Sequence, residues 1–95
     1  MTNAVTARDE GPVRVITLTR APGNTLNIAV LTTLRAEVDR AAADARVRAI
    51  VLASGLPKYF SSGLDLNEIM LLPEDKRPQA FAALLQCYKA LLAAP

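Results

Sequence analysis

With 95 residues, 52% of them hydrophobic and 21% charged, the chain has material for one small domain, near the lower limit at which a core supports itself. Its 11 Lys+Arg against 9 Asp+Glu give a formal net charge of +2, and the basic residues are scattered from Arg8 to Lys89 rather than gathered in a stripe, which argues against a nucleic-acid partner. The absence of histidine and the single Cys87 exclude an intramolecular disulfide, the usual zinc-ligand sets and a Cys-His nucleophilic pair, and leave Cys87 as a small buried or half-buried thiol.

The opening stretch MTNAVTARDE has neither a basic leader nor an apolar signal core, and no apolar run approaches the ~20 residues of a bilayer span. A cytoplasmic protein without membrane or metal partners is the expectation. Val5 to Arg8 and Val13 to Thr19, around Asp9-Glu10-Gly11-Pro12, read as a β-hairpin, because Gly and Pro punctuate and β-branched residues dominate the second run. After Arg20-Ala21-Pro22-Gly23, Asn27 is placed as an N-cap, and Ile28, Leu31, Leu34, Val38 and Ala41 recur at helical intervals up to about Asp44. Val47 to Ala53 is an almost continuous apolar run, which predicts a strand buried on both faces and closes a βαβ unit.

A loop from Ser54 to Phe60 then leads into Ser61-Ser62-Gly63-Leu64-Asp65-Leu66. Asp65 with Glu68 three positions on resembles a capping pair, in which Asp65 accepts from an early helix amide and Glu68 reaches back. Pro73 and Pro78 bracket a charged connector, and Phe81, Leu84, Leu85, Tyr88, Leu91 and Leu92 repeat at the spacing of a second amphipathic helix.

In an open α/β arrangement, ligands sit beyond the carboxyl ends of the strands, where the loop after Ala53 lies. Its small residues allow close approach to the backbone, and Gly63 can take conformations closed to other residues. An amide N–H at the end of this loop suits an anion or a developing negative charge. The same pattern also describes a plain structural turn before a capped helix.

Three blocks, Leu18 to Asn27, Val47 to Leu52 and Phe60 to Leu66, resemble successive segments of the enoyl-CoA hydratase/isomerase (crotonase) family, in the right order and at fitting separations. The resemblance implies the N-terminal ββαβα portion of a crotonase-like α/β fold, with residues 1–95 as a single partial domain ending before a second, Gly-rich oxyanion loop. It implies an acyl-CoA thioester as substrate, with CoA as part of that substrate and no separate cofactor. In a complete family member it implies hydration or double-bond isomerisation through an enolate-like intermediate, in a homotrimer or hexamer.

Carried over position by position, the Leu64 N–H is an oxyanion-hole donor. Ser62, Gly63, Asp65 and Leu66 lie along the CoA path. Asn24 and Asn27 match an Asn-Ala-Leu-Asn block, with Thr25 in place of the usual Ala, and are read as loop-shaping and capping residues. Lys58 is a weaker candidate for a CoA phosphate, while Glu68 and Asp65 are better explained as caps than as catalytic acids or bases. The family's acid/base carboxylates have no matching positions here. A non-catalytic acyl-CoA-binding or assembly module, and an inactive fragment of marginal stability, therefore stand beside the enzyme reading.

Overall fold

The computed structural model describes residues 4–94; the leader reading of Met1 to Asn3 and the terminal Pro95 lie outside them. The elements run β1 (Val5–Glu10), β2 (Val13–Leu18), α1 (Ile28–Ala43), β3 (Ala49–Ser54), α2 (Leu66–Leu71), a 3-10 turn (Glu74–Lys76) and α3 (Pro78–Ala93). They form a three-stranded mixed sheet in the order β1-β2-β3, with α1 and α3 packed together on one face.

The hairpin is tighter than the sequence suggests. Asp9 and Glu10 belong to β1, pairing with Arg14 and Val13, so only Gly11 and Pro12 remain in the turn. Gly11 has φ +59. A glycine at the first central position followed by a residue locked at negative φ is the pattern of a two-residue II′ turn, whose twist matches that of the strands. Arg14 then reaches Asp9 across the hairpin and Asp44 at the end of α1 (3.2 Å), tying the hairpin to the helix terminus. Asp44 also receives the Arg46 guanidinium and backbone N–H, and these donors hold its carboxyl well below the usual carboxylate range.

α1 begins where the sequence places it, with the Asn27 side chain accepting from the Val30 N–H at 2.8 Å, and Asp44 is its C-cap. Its buried positions are Val30, Leu31, Leu34, Val38 and Ala41. Four of the five expected residues are correct; Val30 replaces Ile28, because the first helical residue lies at the edge of the contact. The core joins these residues to Val5, Ile16 and Leu18 of the sheet and to Cys87 of α3.

Two expectations are corrected. The strand predicted at Val47 to Ala53 runs instead from Ala49 to Ser54, and it is not buried on both faces: Val51 is 46% exposed. The register explains this. Ile50 and Leu52 share the face of Ile16 and pack against the core cluster, whereas Ala49, Val51 and Ala53 share the face of Val13, Val15 and Thr17, none of which belongs to that cluster. The apolar run forms the expected strand, but two-sided burial fails at Val51.

The second correction concerns α3, which starts at Pro78 in the N1 position that proline favours. Of its predicted stripe only Leu84 and Leu91 pack on the core, joined by Ala80, Ala83, Cys87 and Ala90. Phe81, Leu85, Tyr88 and Leu92 are at least half exposed. Both faces of α3 are apolar, so spacing alone could not choose between them. The small side chains win the contact because they let two helix backbones approach closely.

Candidate functional site

The loop that follows β3 is held against the loop that follows β2. Gly55 enters it through an N–H bond to the Leu18 carbonyl at 2.8 Å, at a point so tight that a Cβ would fall 2.2 Å from the Thr19 hydroxyl. Further on, the two loops form a single parallel bridge between Leu26 and Leu64. Leu26 donates to the Gly63 carbonyl at 2.8 Å, and its own carbonyl accepts from Asp65 at 2.9 Å.

This bridge determines what the candidate residues can do. In a parallel bridge the residue flanked by the two bonds uses both its backbone groups, while the N–H and C=O of the residue opposite face away. That opposite residue is Leu64. Of the four consecutive amides Ser62 to Asp65, Ser62 donates to the Gly23 carbonyl (2.9 Å), Gly63 to the Ser61 hydroxyl (3.1 Å) and Asp65 to Leu26, whereas the Leu64 N–H has no hydrogen-bond partner among the described residues. Gly63, at φ +94, is the residue whose left-handed backbone turns the chain between the engaged amides and the free one.

The other sequence candidates are placed as follows. Ser62 is exposed, but its hydroxyl and its amide are both spent on the Gly23 carbonyl, so its polar groups serve the loop contact. Leu66 is 64% exposed at the first turn of α2. Lys58 lies exposed on the loop after β3. Asp65 caps α2, accepting from the Glu68 N–H at 3.1 Å. That amide, followed by the Arg20 guanidinium, lowers its pKa below the ordinary carboxylate value.

The reciprocal half of the capping box does not form. The Asp65 N–H that Glu68 was expected to meet is already bonded to Leu26, and the Glu68 carboxylate turns to Arg20 Nη2 at 3.0 Å.

Arg20 is the residue that sequence reasoning missed. Its Nη1 donates to the Thr25 carbonyl (3.0 Å), the Thr25 hydroxyl (2.7 Å) and Asp65 Oδ2 (2.9 Å), so one planar fork joins the first loop to the start of α2. A signal existed: the acidic pair Asp65 and Glu68 opens a helix that has no basic residue of its own, and so calls for a cation from elsewhere.

Asn24, a loop-shaping residue by sequence, is the buried hub of the two loops. It is 1% exposed and adopts φ +54, a region that asparagine tolerates better than most residues. Its Oδ1 accepts from the Arg20 N–H at 2.6 Å, and its Nδ2 hydrogens are shared among Leu18 O (3.0 Å), Ser54 Oγ (2.8 Å) and Phe60 O (2.8 Å). The Asn24 carbonyl accepts from the Ser61 hydroxyl at 2.7 Å. The loop that presents Leu64 is thus fixed by side chains of the other loop.

Beside this loop lies an apolar cavity between β2, β3, α1 and α3, rimmed by Ser61 and Gly63. The described chain is therefore an α/β unit of open-sheet type, in which a small-residue loop beyond a parallel strand carries one unpaired amide, at Leu64, and lines an apolar cavity with Ser61 and Gly63.

Comparison with known proteins gives that class its family. The enoyl-CoA hydratase/isomerase family matches residues 8–94, and the chain belongs to it. A 2,3-dehydroadipyl-CoA hydratase of Escherichia coli K12 is 38% identical over 88 residues, covering 86% of this chain and 34% of that protein. Among solved structures, Pseudomonas aeruginosa DspI superposes with a TM-score of 0.84 at 28% identity, over 95% of this chain and 37% of that one. The human mitochondrial delta3-delta2-enoyl-CoA isomerase gives 0.83 at 25% identity, over 90% and 34%. A Bacillus anthracis enoyl-CoA hydratase, at 22% identity, shares the fold with a TM-score of 0.90 over 98% and 37%. The chain thus spans about a third of the length of these relatives.

No helix among the described residues is long and apolar enough to cross a membrane.

Proposed function

We propose that the chain binds an acyl-CoA thioester and polarises its carbonyl through the Leu64 N–H, as one part of an enoyl-CoA hydratase or isomerase site. The observation that carries this reading is the Leu64 amide, the one of the four from Ser62 to Asp65 that has no partner among the described residues, on the outward side of the Leu26–Leu64 bridge. A donor whose direction is set before the ligand arrives stabilises negative charge on a thioester oxygen without reorganisation at the moment of reaction. The relatives named as hydratases and as an isomerase both fit such a step, since adding water across a conjugated double bond and shifting a double bond each place charge on that oxygen.

Proton transfer at carbon needs a carboxylate or similar base free to act at a tuned pKa. Asp65 and Glu68, the carboxylates next to the Leu64 loop, are both engaged by Arg20, and Asp65 is made a weaker base by its donors. This favours a division of labour in which the described residues bind and polarise while the base comes from elsewhere in a complete enzyme. Assembly as a trimer or hexamer belongs to the same proposal. On this reading Ser62, Gly63, Asp65 and Leu66 border the CoA path, with Ser62 and Asp65 shaping it more than contacting the ligand.

The test is a titration of the isotope-labelled chain with CoA and a 2-enoyl-CoA, following the Leu64 amide resonance alongside absorbance of the conjugated thioester. A saturable shift of the Leu64 signal with the enoyl thioester, larger than with CoA and without loss of absorbance, is expected. Saturable binding that leaves Leu64 unmoved, or no binding at all, overturns the assignment.

A further inference from the structure

Resting on that reading, we infer that the Thr25 hydroxyl is a positioning group for the polarising amide: acting through Asp65, it sets the tilt of the peptide that carries the Leu64 N–H. The peptide between Gly63 and Leu64 is planar and trans, so its C=O and N–H point in opposite directions. Leu26 holds that peptide by its oxygen, through the 2.8 Å bond to the Gly63 carbonyl. A single bond at the oxygen limits the tilt about the Cα–Cα axis without fixing it, because hydrogen bonds tolerate angles well away from linear.

The remaining restraint comes from one side of the peptide or the other. Upstream, Ser61 and Ser62 are tied to Asn24 and Gly23, but Gly63 stands between them and Leu64. At φ +94, and with no neighbouring atom within 4 Å of where a Cβ would stand, Gly63 is a swivel that transmits little of that restraint. Downstream, Asp65 is held at its main chain and at its side chain. Its N–H donates to the Leu26 carbonyl at 2.9 Å, and its Oδ2 accepts from the Thr25 hydroxyl at 3.3 Å and from Arg20 Nη1 at 2.9 Å.

Thr25 makes these two ties act together. It directly precedes Leu26, the bridge residue, and its hydroxyl has one hydrogen to give and lone pairs to receive. The hydrogen goes to Asp65 Oδ2, and the oxygen accepts from Arg20 Nη1 at 2.7 Å. Both bonds involve a charged partner, which strengthens them. The Asp65 side chain is 15% exposed and that of Arg20 26%, so the cluster is screened less than a surface pair. Thr25 also stands, after the Glu68 amide and Arg20, among the donors that lower the Asp65 pKa. Alanine, usual at this place in the Asn-Ala-Leu-Asn block, has no such group, so the tie belongs to this chain's own sequence.

The experiment uses the 95-residue chain, a 2-enoyl-CoA isotope-labelled at its carbonyl carbon, and three variants. Thr25→Val keeps the branched shape without the hydroxyl, Thr25→Ala removes both, and Thr25→Ser keeps the hydroxyl. Two quantities are read: the carbonyl-carbon resonance of the bound thioester, which moves with polarisation, and amide hydrogen exchange at Asp65 against Leu34 and Val38 in the core. Thr25→Val and Thr25→Ala are expected to show a smaller carbonyl shift and Asp65 exchange roughly tenfold faster. Leu34 and Val38 should exchange as in wild type, and Thr25→Ser should match wild type in both readouts.

A full carbonyl shift in Thr25→Val and Thr25→Ala, or a loss in Thr25→Ser as large as theirs, overturns the positioning role and leaves the Leu64 reading intact. Exchange that quickens equally at Asp65, Leu34 and Val38 reports a loosened fold instead and overturns it too. A wild-type chain that fails to bind the thioester, or binds it without moving the carbonyl resonance, overturns both.

Discussion

Asn24 allows a stability experiment whose terms can be separated. Replacing it with alanine removes the Oδ1 acceptor for the Arg20 N–H and the Nδ2 donor for three oxygens. The Leu18 carbonyl keeps its bond from Gly55, and the Ser54 hydroxyl keeps the Leu56 N–H, so the Arg20 N–H and the Phe60 carbonyl are the groups left without a partner. Four hydrogen bonds at about 0.5–1.5 kcal/mol each imply a loss of roughly 2–6 kcal/mol. Alanine at the left-handed φ of +54 adds about 1 kcal/mol of backbone strain. The sum, about 3–7 kcal/mol, is comparable with the whole stability expected of a domain this small.

Glycine at position 24 loses the same bonds without the strain, so Asn24→Gly should be about 1 kcal/mol more stable than Asn24→Ala. Asn24→Asp preserves the acceptor but sets a carboxylate against the carbonyls of Leu18 and Phe60; it should be destabilised at neutral pH and recover as acid supplies the proton that restores a donor. Urea unfolding followed by circular dichroism measures all three. An Asn24→Ala variant within about 0.5 kcal/mol of wild type, or a glycine variant less stable than the alanine one, would refute the account of Asn24 as the hub.

Gly63→Ala meets no atom within 4 Å, so its cost is the strain of φ +94 alone, about 1 kcal/mol in urea unfolding; the Leu64 amide resonance should move with it. Asp65 has a lowered folded-state pKa, so its contribution is complete above the ordinary carboxylate value of about 4 and is lost as pH falls through the folded value. Asp65→Asn should accordingly flatten the acid limb of the stability-pH curve and leave its slope above about pH 5 unchanged. On α3, Leu84→Ala should cost about 2 kcal/mol, whereas Leu85→Lys, at a position 59% exposed, should change stability by less than about 0.5 kcal/mol; the reverse order would put the wrong face of α3 against α1.

The parts of the fold that were legible in the sequence are those written in local periodicity. α1 could be placed to within a residue at both ends because Asn27 caps it and a single apolar stripe runs along it. α3 could be placed but not oriented, since two apolar faces compete and the choice depends on how closely α1 can approach. β3 was recognisable by composition, but whether each of its faces is covered depends on what else packs against the sheet. The Arg20 fork spans 45 residues to Asp65, and no local pattern encodes that distance. The free Leu64 amide is equally nonlocal: which of four adjacent N–H groups stays unpaired is decided by the partners that Gly23 and Leu26 supply from the other loop.

These nonlocal contacts have one logic. On the proposed function, the residues singled out from the second loop, Ser62, Gly63 and Asp65, matter for how they leave the Leu64 N–H unpaired rather than for reactive groups of their own. Ser62 and Asp65 lock the backbone on either side, and Gly63 provides the turn between them. Arg20 and Asn24 then hold the whole assembly from the first loop, through charge on one side and a buried amide on the other. A site that works through a main-chain N–H has no side chain to mark it. Its signature is instead the cost invested in fixing the backbone, here a left-handed glycine, a left-handed buried asparagine and an arginine fork converging within two loops. Substitutions that disturb those three supports should therefore impair ligand polarisation even where Leu64 itself is untouched, and replacing the Leu64 side chain by another apolar residue should impair it least.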